Sequence, residues 1–125
     1  MPCILLVEDN DMNRDMLSRR LKRAGYDVLC AQDGPTGVRL AAENLPDVVL
    51  MDVALGEMDG WEATQLIKGS PVTRHIPIIA LTAHALSSDR DRSIEVGCCD
   101  FDTKPVDLQR LIGKIETALH DRVAA

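Results

Sequence analysis

The 125-residue chain, 46% apolar, suits one domain with a single core. With 2% aromatic content, that core must be filled by Leu, Ile, Val, Ala and Met. A net charge of −6 argues against a nucleic-acid-binding face, and no apolar run nears the roughly 20 residues of a membrane span.

A strand begins almost at once, with no basic-then-apolar leader before it. Ile4-Leu5-Leu6-Val7 is short and continuously apolar, as a strand buried on both faces should be. Asn10 or Asp11 is placed to cap the next helix. Met12, Met16, Leu17, Leu21 and Ala24 form its apolar stripe, and Gly25 stops it. Val28 to Ala31 is the second strand. Asp33-Gly34-Pro35 makes a turn with proline at the start of a helix whose Val38, Ala41, Ala42 and Leu45 face inward, and Pro46 ends it. Asp47 to Met51 is the third strand, and Gly56 to Gly60 is loop. A helix then runs from Trp61 to about Lys68 and breaks at Gly69-Ser70-Pro71. Pro77 opens the fourth strand, Ile78 to Leu81. A fourth helix spans roughly Ser87 to Val96, with Gly97 ending it, and a short fifth strand lies near Phe101. The last helix runs from about Asp107 to Arg122, with Leu108, Leu111, Ile112, Ile115 and Leu119 on one face.

Five strand–helix units joined by right-handed crossovers give a parallel sheet in a three-layer αβα sandwich, an α/β fold. These elements occupy 1–125 as one domain, leaving no length for an output domain. Cys3, Cys30, Cys98 and Cys99 show no C-x-x-C spacing, so they read as small buried or half-buried thiols in a reducing, cytoplasmic compartment, with Cys98 or Cys99 as a redox handle the alternative.

Each apolar strand but the second delivers polar residues at its carboxyl end: Glu8 and Asp9, then Asp52, then Thr82, then Lys104 with Pro105. In an open parallel sheet these ends share one edge, where such folds bind ligands. Three carboxylates, a hydroxyl and an ammonium in one pocket suit a divalent cation and a phosphoryl group. Clustered acids raise each other's pKa, and a cation relieves this. Oxygen ligands beside phosphate describe magnesium better than calcium or zinc. Alone, Glu8-Asp9 reads as two solvated acids at a helix start; with Asp52 and Lys104 at equivalent strand ends, the site reading prevails. Asp52 is the candidate nucleophile, because a carboxylate can carry a phosphoryl group as an acyl phosphate. That reaction asks for charge neutralisation and alignment, which Lys104 and magnesium supply. Thr82 is placed to hydrogen-bond a phosphoryl oxygen, and Ala83 leaves room for the group. A cis bond before Pro105 would turn the backbone and aim Lys104 at the pocket.

Taken together, Ile4-Leu5-Leu6-Val7-Glu8-Asp9-Asn10, Met51-Asp52, Met58-Asp59-Gly60, Ala80-Leu81-Thr82-Ala83 and Thr103-Lys104-Pro105 resemble the response-regulator receiver domain, the phosphoacceptor module of two-component signalling, from Ile4 to about Leu119. The resemblance implies the flavodoxin-like strand order 2-1-3-4-5. It makes Asp52 the phosphorylated aspartate, Asp9 a direct Mg2+ ligand, Glu8 a ligand through water, and the backbone carbonyl of Ala54 the third protein ligand. It makes Thr82 the switch hydroxyl, Lys104 the phosphate-binding lysine and Phe101 the switch aromatic. It also implies a phosphohistidine donor on a sensor histidine kinase or histidine phosphotransfer protein, within a two-component system or phosphorelay. No turnover is implied beyond the module's own phosphorylation and dephosphorylation. The output would be contact with a downstream protein through the face of the fourth helix, fifth strand and fifth helix, by a monomer or weak dimer.

Several positions depart from the family's pattern. Gly56 replaces a usual proline, which widens the backbone choices of its loop. Asp102 sits where an apolar residue is usual; it reads as a solvated acid on an edge strand in preference to a partner for Lys104. Phe101 lacks the hydroxyl of the usual tyrosine, so turning inward needs no hydrogen-bond partner. Ala54 and His84 border the path of a hydrolytic water, and Trp61 is expected near the pocket and partly exposed. Four other readings compete: a receiver cut from a hybrid histidine kinase, a phosphorylation-independent adaptor of the same fold, a flavodoxin-like cofactor carrier, which would need a Ser-, Thr- and Gly-rich loop where Glu8-Asp9-Asn10-Asp11 stands, and an aspartate-nucleophile phosphatase. The phosphatase would need a second acid where Ala54 stands.

Overall fold

A computed structural model describes residues 1–55, 58–83 and 87–124. Its strands are β1 (Cys3–Val7), β2 (Asp27–Ala31), β3 (Val48–Asp52), β4 (Ile78–Thr82) and β5 (Asp100–Thr103). They form one parallel sheet in the order β2-β1-β3-β4-β5. Its helices are α1 (Asp11–Arg23), α2 (Gly34–Asn44), α3 (Gly60–Gly69), α4 (Ser87–Glu95) and α5 (Leu108–Ala124). Among the described residues no helix is long and apolar enough to cross a membrane.

Alternation along the strands divides the core. Leu5, Val7, Val49, Met51, Ile78 and Ala80 pack with Ala41 of α2 and with Ala63 and Ile67 of α3. Ile4, Leu6, Val48, Leu50, Ile79 and Leu81 pack with Leu17 and Leu21 of α1 and with Leu111 and Ile115 of α5. The three central strands β1, β3 and β4 are buried on both faces, as their unbroken apolar runs require.

The helix starts follow from capping chemistry. Asn10 and Asp33 accept hydrogen bonds from the backbone N–H groups of Asn13 and Thr36, at 2.9 and 2.8 Å. Asp59 caps α3 in the same way through Glu62 N–H. The helix ends use left-handed backbone: Gly25 (φ 101°) follows α1, Gly97 (φ 108°) follows α4, and Leu45 (φ 48°) rather than Pro46 terminates α2.

Two apolar stripes differ from expectation. On α1 the buried line is Leu17, Ser18 and Leu21, while Met12 is 81% exposed and Met16 48%. At 3.6 residues per turn those methionines lie well over a quarter-turn from the Leu17–Leu21 line. On α2 the buried line is Gly34, Gly37 and Ala41; Ala42 and Leu45 face out. Glycine is needed on that line because a Cβ on Gly37 would come within 2.8 Å of the Val7 side chain. The α5 face agrees with expectation: Leu111 and Ile115 are buried, with Leu108, Ile112 and Leu119 packed beside them.

Gly60 fixes how α3 meets β3. A Cβ there would sit 2.2 Å from the Asp52 carbonyl oxygen, so the helix start lies directly on the backbone of the strand end. Gly69, at the other end of the same helix, has open space around it. Gly60→Ala is expected to destabilise the protein by about 1–3 kcal/mol through forced backbone displacement. Gly69→Ala is expected to stabilise it by up to about 1 kcal/mol. Urea denaturation of the two variants checks this, and equal effects would remove the close-packing explanation.

Candidate functional site at the strand ends

The carboxyl edge gathers Glu8, Asp9, Asp52, Thr82 and Lys104. Glu8 follows β1 and is 3% exposed; Asp52 and Thr82 close β3 and β4 and are each 1% exposed; Asp9 is solvent-facing. One oxygen from each of Glu8, Asp9 and Asp52 lies within 4.8 Å of the other two. Backbone hydrogen bonds set these positions: Glu8 N–H donates to Ala31 O, Val53 N–H to Leu81 O, and Lys104 N–H to Thr82 O at 2.8 Å. The last of these places the lysine stem beside β4. The Lys104–Pro105 bond is cis, and Pro105 itself is exposed.

The Lys104 ammonium sits between two buried acids, 3.1 Å from Glu8 Oε1 and 3.0 Å from Asp52 Oδ2. The other Asp52 oxygen, Oδ1, accepts a hydrogen bond from Ala54 N–H at 3.0 Å. Burial pushes Glu8 upward, and neighbouring Asp52 adds to it, so its pKa reaches about 7 against the pull of Lys104. Burial also pushes Asp52 up. Hydrogen bonds from Glu8, Ala54 N–H and Lys104 outweigh it and hold Asp52 below the ordinary carboxylate range. Lys104 loses charge preference through burial but gains more from Asp52 and Glu8, and its pKa is raised. The two acids are thus driven apart, Asp52 downward and Glu8 upward.

Glu8 Oε2 is buried without a hydrogen-bond partner among the described residues. An orphaned acceptor beside two further carboxylates fits a hard divalent cation that prefers oxygen. The donor set therefore suits magnesium. Arg14, which sequence reasoning did not single out, donates to the Glu8 backbone carbonyl at 2.9 Å and pins the turn that carries the acids. Its signal was its place one turn into α1, facing the sheet side.

Ala54 and Ala83 are exposed at the rim. His84 and Gly56 lie outside the described residues. Phe101 is not part of the carboxylate cluster. It is half-buried on β5, packed against the core layer of α2 and α3, with cations of α4 and α5 over its ring. Trp61 is half-buried and reaches α4: its Nε1–H donates to Ser93 Oγ at 3.2 Å, and Arg92 lies 5.9 Å from its ring centroid.

Asp102 requires a correction. It is neither a solvated acid nor a partner of Lys104. It is 2% exposed, and its Oδ1 accepts from Arg110 Nε at 2.7 Å, with Lys114 Nζ at 3.9 Å. Arg110 and Lys114 stand one turn apart on α5 and reach back over β5, which supplies the countercharge that a buried acid needs.

The raised Glu8 pKa has a consequence for stability without metal. An acid whose folded pKa exceeds its unfolded value stabilises the fold below the unfolded pKa and loses that contribution as pH rises through the folded one. Without added metal and with chelator, the wild type is therefore expected to lose stability relative to Glu8→Gln as pH rises from about 4.5 to about 7. Thermal melting across that range checks it, and parallel curves for the two proteins would contradict it.

Residues 4–116 match the family model of the response regulator receiver domain. The chain is 40% identical over 114 residues to response regulator PleD of Caulobacter vibrioides, covering 91% of this chain and 25% of PleD, so it spans about a quarter of that relative's length. It is 36% identical over 118 residues to the polar-differentiation response regulator DivK of Brucella anthropi, covering 94% of this chain and 96% of DivK. Among solved structures it is similar to the receiver domain of the sensor histidine kinase PA1611 from Pseudomonas aeruginosa, which has a magnesium ion in its active-site cleft. The TM-score is 0.88 at 37% identity, covering 95% of this chain and 98% of the other. With the parallel 2-1-3-4-5 sheet and the acidic cluster at its carboxyl edge, the chain belongs to the response-regulator receiver family.

Proposed function

We propose that this chain is a phosphoacceptor switch in which Asp52 takes a phosphoryl group from a phosphohistidine. The donor would be a sensor histidine kinase or a histidine phosphotransfer protein. The observation that carries this reading is the Lys104 ammonium in contact with both the Asp52 and the Glu8 carboxyl groups, at 3.0 and 3.1 Å. An Asp52 carboxylate oxygen forms the new P–O bond while the P–N bond to the donor imidazole breaks, and the imidazole keeps the electron pair. The lysine is already positioned to meet the phosphoryl charge, and a preformed electrostatic partner is what this reaction needs most. Ala54 N–H holds Asp52 Oδ1 and fixes the carboxylate plane. Glu8, Asp9, Asp52 and the Ala54 carbonyl would hold Mg2+, which supplies charge neutralisation at the phosphoryl oxygens.

Thr82, at the end of β4, would hydrogen-bond the bound group, with Ala83 giving it space. Phosphorylation adds charge at the end of β3, beside Thr82 of β4 and Lys104 after β5, and biases the α4–β5–α5 face, including Phe101, between two states. The output is contact of that face with a downstream protein. The chain's chemistry on this reading is limited to its own phosphorylation and dephosphorylation, in the cytoplasm. Similarity to DivK across nearly its whole length supports a stand-alone regulator. Similarity to the PA1611 receiver supports a second setting, a receiver within a longer kinase.

Intact mass after incubation with magnesium and acetyl phosphate tests the reading. The wild type should gain one phosphoryl group and Asp52→Ala none. Lys104→Ala should lose rate by on the order of a hundredfold, as for removal of one preorganised charge partner. Equal gain in Asp52→Ala would place the acceptor elsewhere, and no gain in any protein, even with a histidine phosphodonor, would favour a phosphorylation-independent adaptor.

A further inference from the structure

We propose that Lys114 is a positioning residue for Phe101, clamping the ring between α4 and α5 in the absence of phosphate. Its signalling consequence rests on the reading of Phe101 as the aromatic that moves with the phosphoryl state. Lys114 rises from α5 and its Nζ serves several groups on β5. It donates to the Phe101 carbonyl, lies 3.8 Å from Asp100 Oδ1 and 3.9 Å from Asp102 Oδ1, and stands 5.2 Å from the Phe101 ring centroid. Arg90 of α4 brings a second cation within 5.9 Å of the same ring. Both distances fall inside the range in which a cation is attracted to an aromatic face.

The anchoring is asymmetric, and this makes the lysine a post rather than a passenger. The carbonyl and the two carboxylates hold the ammonium whether or not the ring is beside it. The ring has no hydroxyl, so its specific interactions come through its face. A ring that leaves this position gives up the cation contacts, while Lys114 keeps its other partners. The edge backbone is tied in as well. Asp100 Oδ1 accepts from Phe101 N–H, Asp102 Oδ1 accepts from Thr103 N–H, and Arg110 Nη2 donates to Thr103 O at 3.3 Å. The strand cannot easily shift to follow the ring. What remains free to change is the side-chain position, set by one fixed cation on α5 and one on α4.

Phe101 is the chain's single phenylalanine, so ring-13C-labelled phenylalanine reports one residue. Ring 13C–1H shifts of the unphosphorylated full chain would be compared with those of Lys114→Met, Lys114→Arg and Arg90→Ala. Lys114→Met should change the ratio of ring positions by roughly two- to fivefold. Lys114→Arg, which keeps a cation, should stay near wild type. Arg90→Ala, at an exposed position, should move the shifts in the same direction and decides the matter if Lys114→Met fails to fold. Unmoved shifts in folded Lys114→Met, or equal shifts in Lys114→Met and Lys114→Arg, would overturn the clamp. Wild type with magnesium and beryllofluoride, a phosphoryl mimic, supplies the second arm. Shifts toward the Lys114→Met position support both ideas. Shifts in Lys114→Met alone leave the clamp standing and count against the phosphoacceptor reading.

Discussion

The Lys104 ammonium lies 3.1 Å from Glu8 and 3.0 Å from Asp52, and the carboxyl edge is arranged around that contact. Two acids buried side by side are unstable unless a cation meets them, and here Lys104 is that cation. The sheet makes the arrangement possible. Glu8, Asp52 and Lys104 follow three different strands, and parallel register brings their backbones to one edge with no loop long enough to blur their positions. Lys104 N–H on the Thr82 carbonyl then ties the lysine to the strand that also carries the hydroxyl.

The same logic recurs on the neighbouring strand with different partners. Asp102 is as buried as Asp52, yet its countercharges come from α5, through Arg110 and Lys114, rather than from a strand end. Removing one partner of a buried charge costs about 3–5 kcal/mol, so α5 is attached to β5 by more than its apolar face of Leu111 and Ile115. The edge groups of β5 that a second sheet would seek are occupied by side chains of Asp100, Asp102, Arg110 and Lys114. Such covering is how an edge strand avoids pairing with another chain. The face built from α4, β5 and α5 is therefore a surface of side chains around Phe101 and not an open backbone edge.

The fold was legible because its signals are local. Ile4–Val7 and Ile78–Leu81 are unbroken apolar runs, Asn10 and Asp33 are capping residues, and Gly25 and Gly97 are positive-φ stops. The carboxylate cluster was legible because period and topology convert strand ends into neighbours. The misread positions depend on how one element docks on another. Nothing near Asp102 announces that Arg110 and Lys114, one turn apart on α5, will enclose it. Gly60 reads as the end of a loop until α3, which begins with it, is laid against the Asp52 carbonyl. Trp61 is half-buried, in line with its expected partial exposure, but its place in the chain does not announce that its indole N–H goes to Ser93 on α4. Met12 and Met16 satisfy a loose helical spacing, and only the docking angle of α1 shows that Leu17 and Leu21 take the sheet.

Two buried oxygens lack hydrogen-bond partners among the described residues, Glu8 Oε2 and Asp102 Oδ2. An unsatisfied buried acceptor costs about 1–3 kcal/mol, a large fraction of the stability of a small domain. The two differ in what can relieve them. Asp102 Oδ2 belongs to a carboxylate whose other oxygen already takes Arg110 and its own neighbour's N–H, so the group as a whole is compensated within the fold. Glu8 Oε2 sits in a cluster whose other members, Asp9 and Asp52, are also acids, and the one cation at hand is already shared. Among the described residues no further donor completes it. The Glu8 deficit therefore lies beside two further carboxylates, a setting that fits a hard cation, whereas the Asp102 deficit lies in a group already met by the cations of α5.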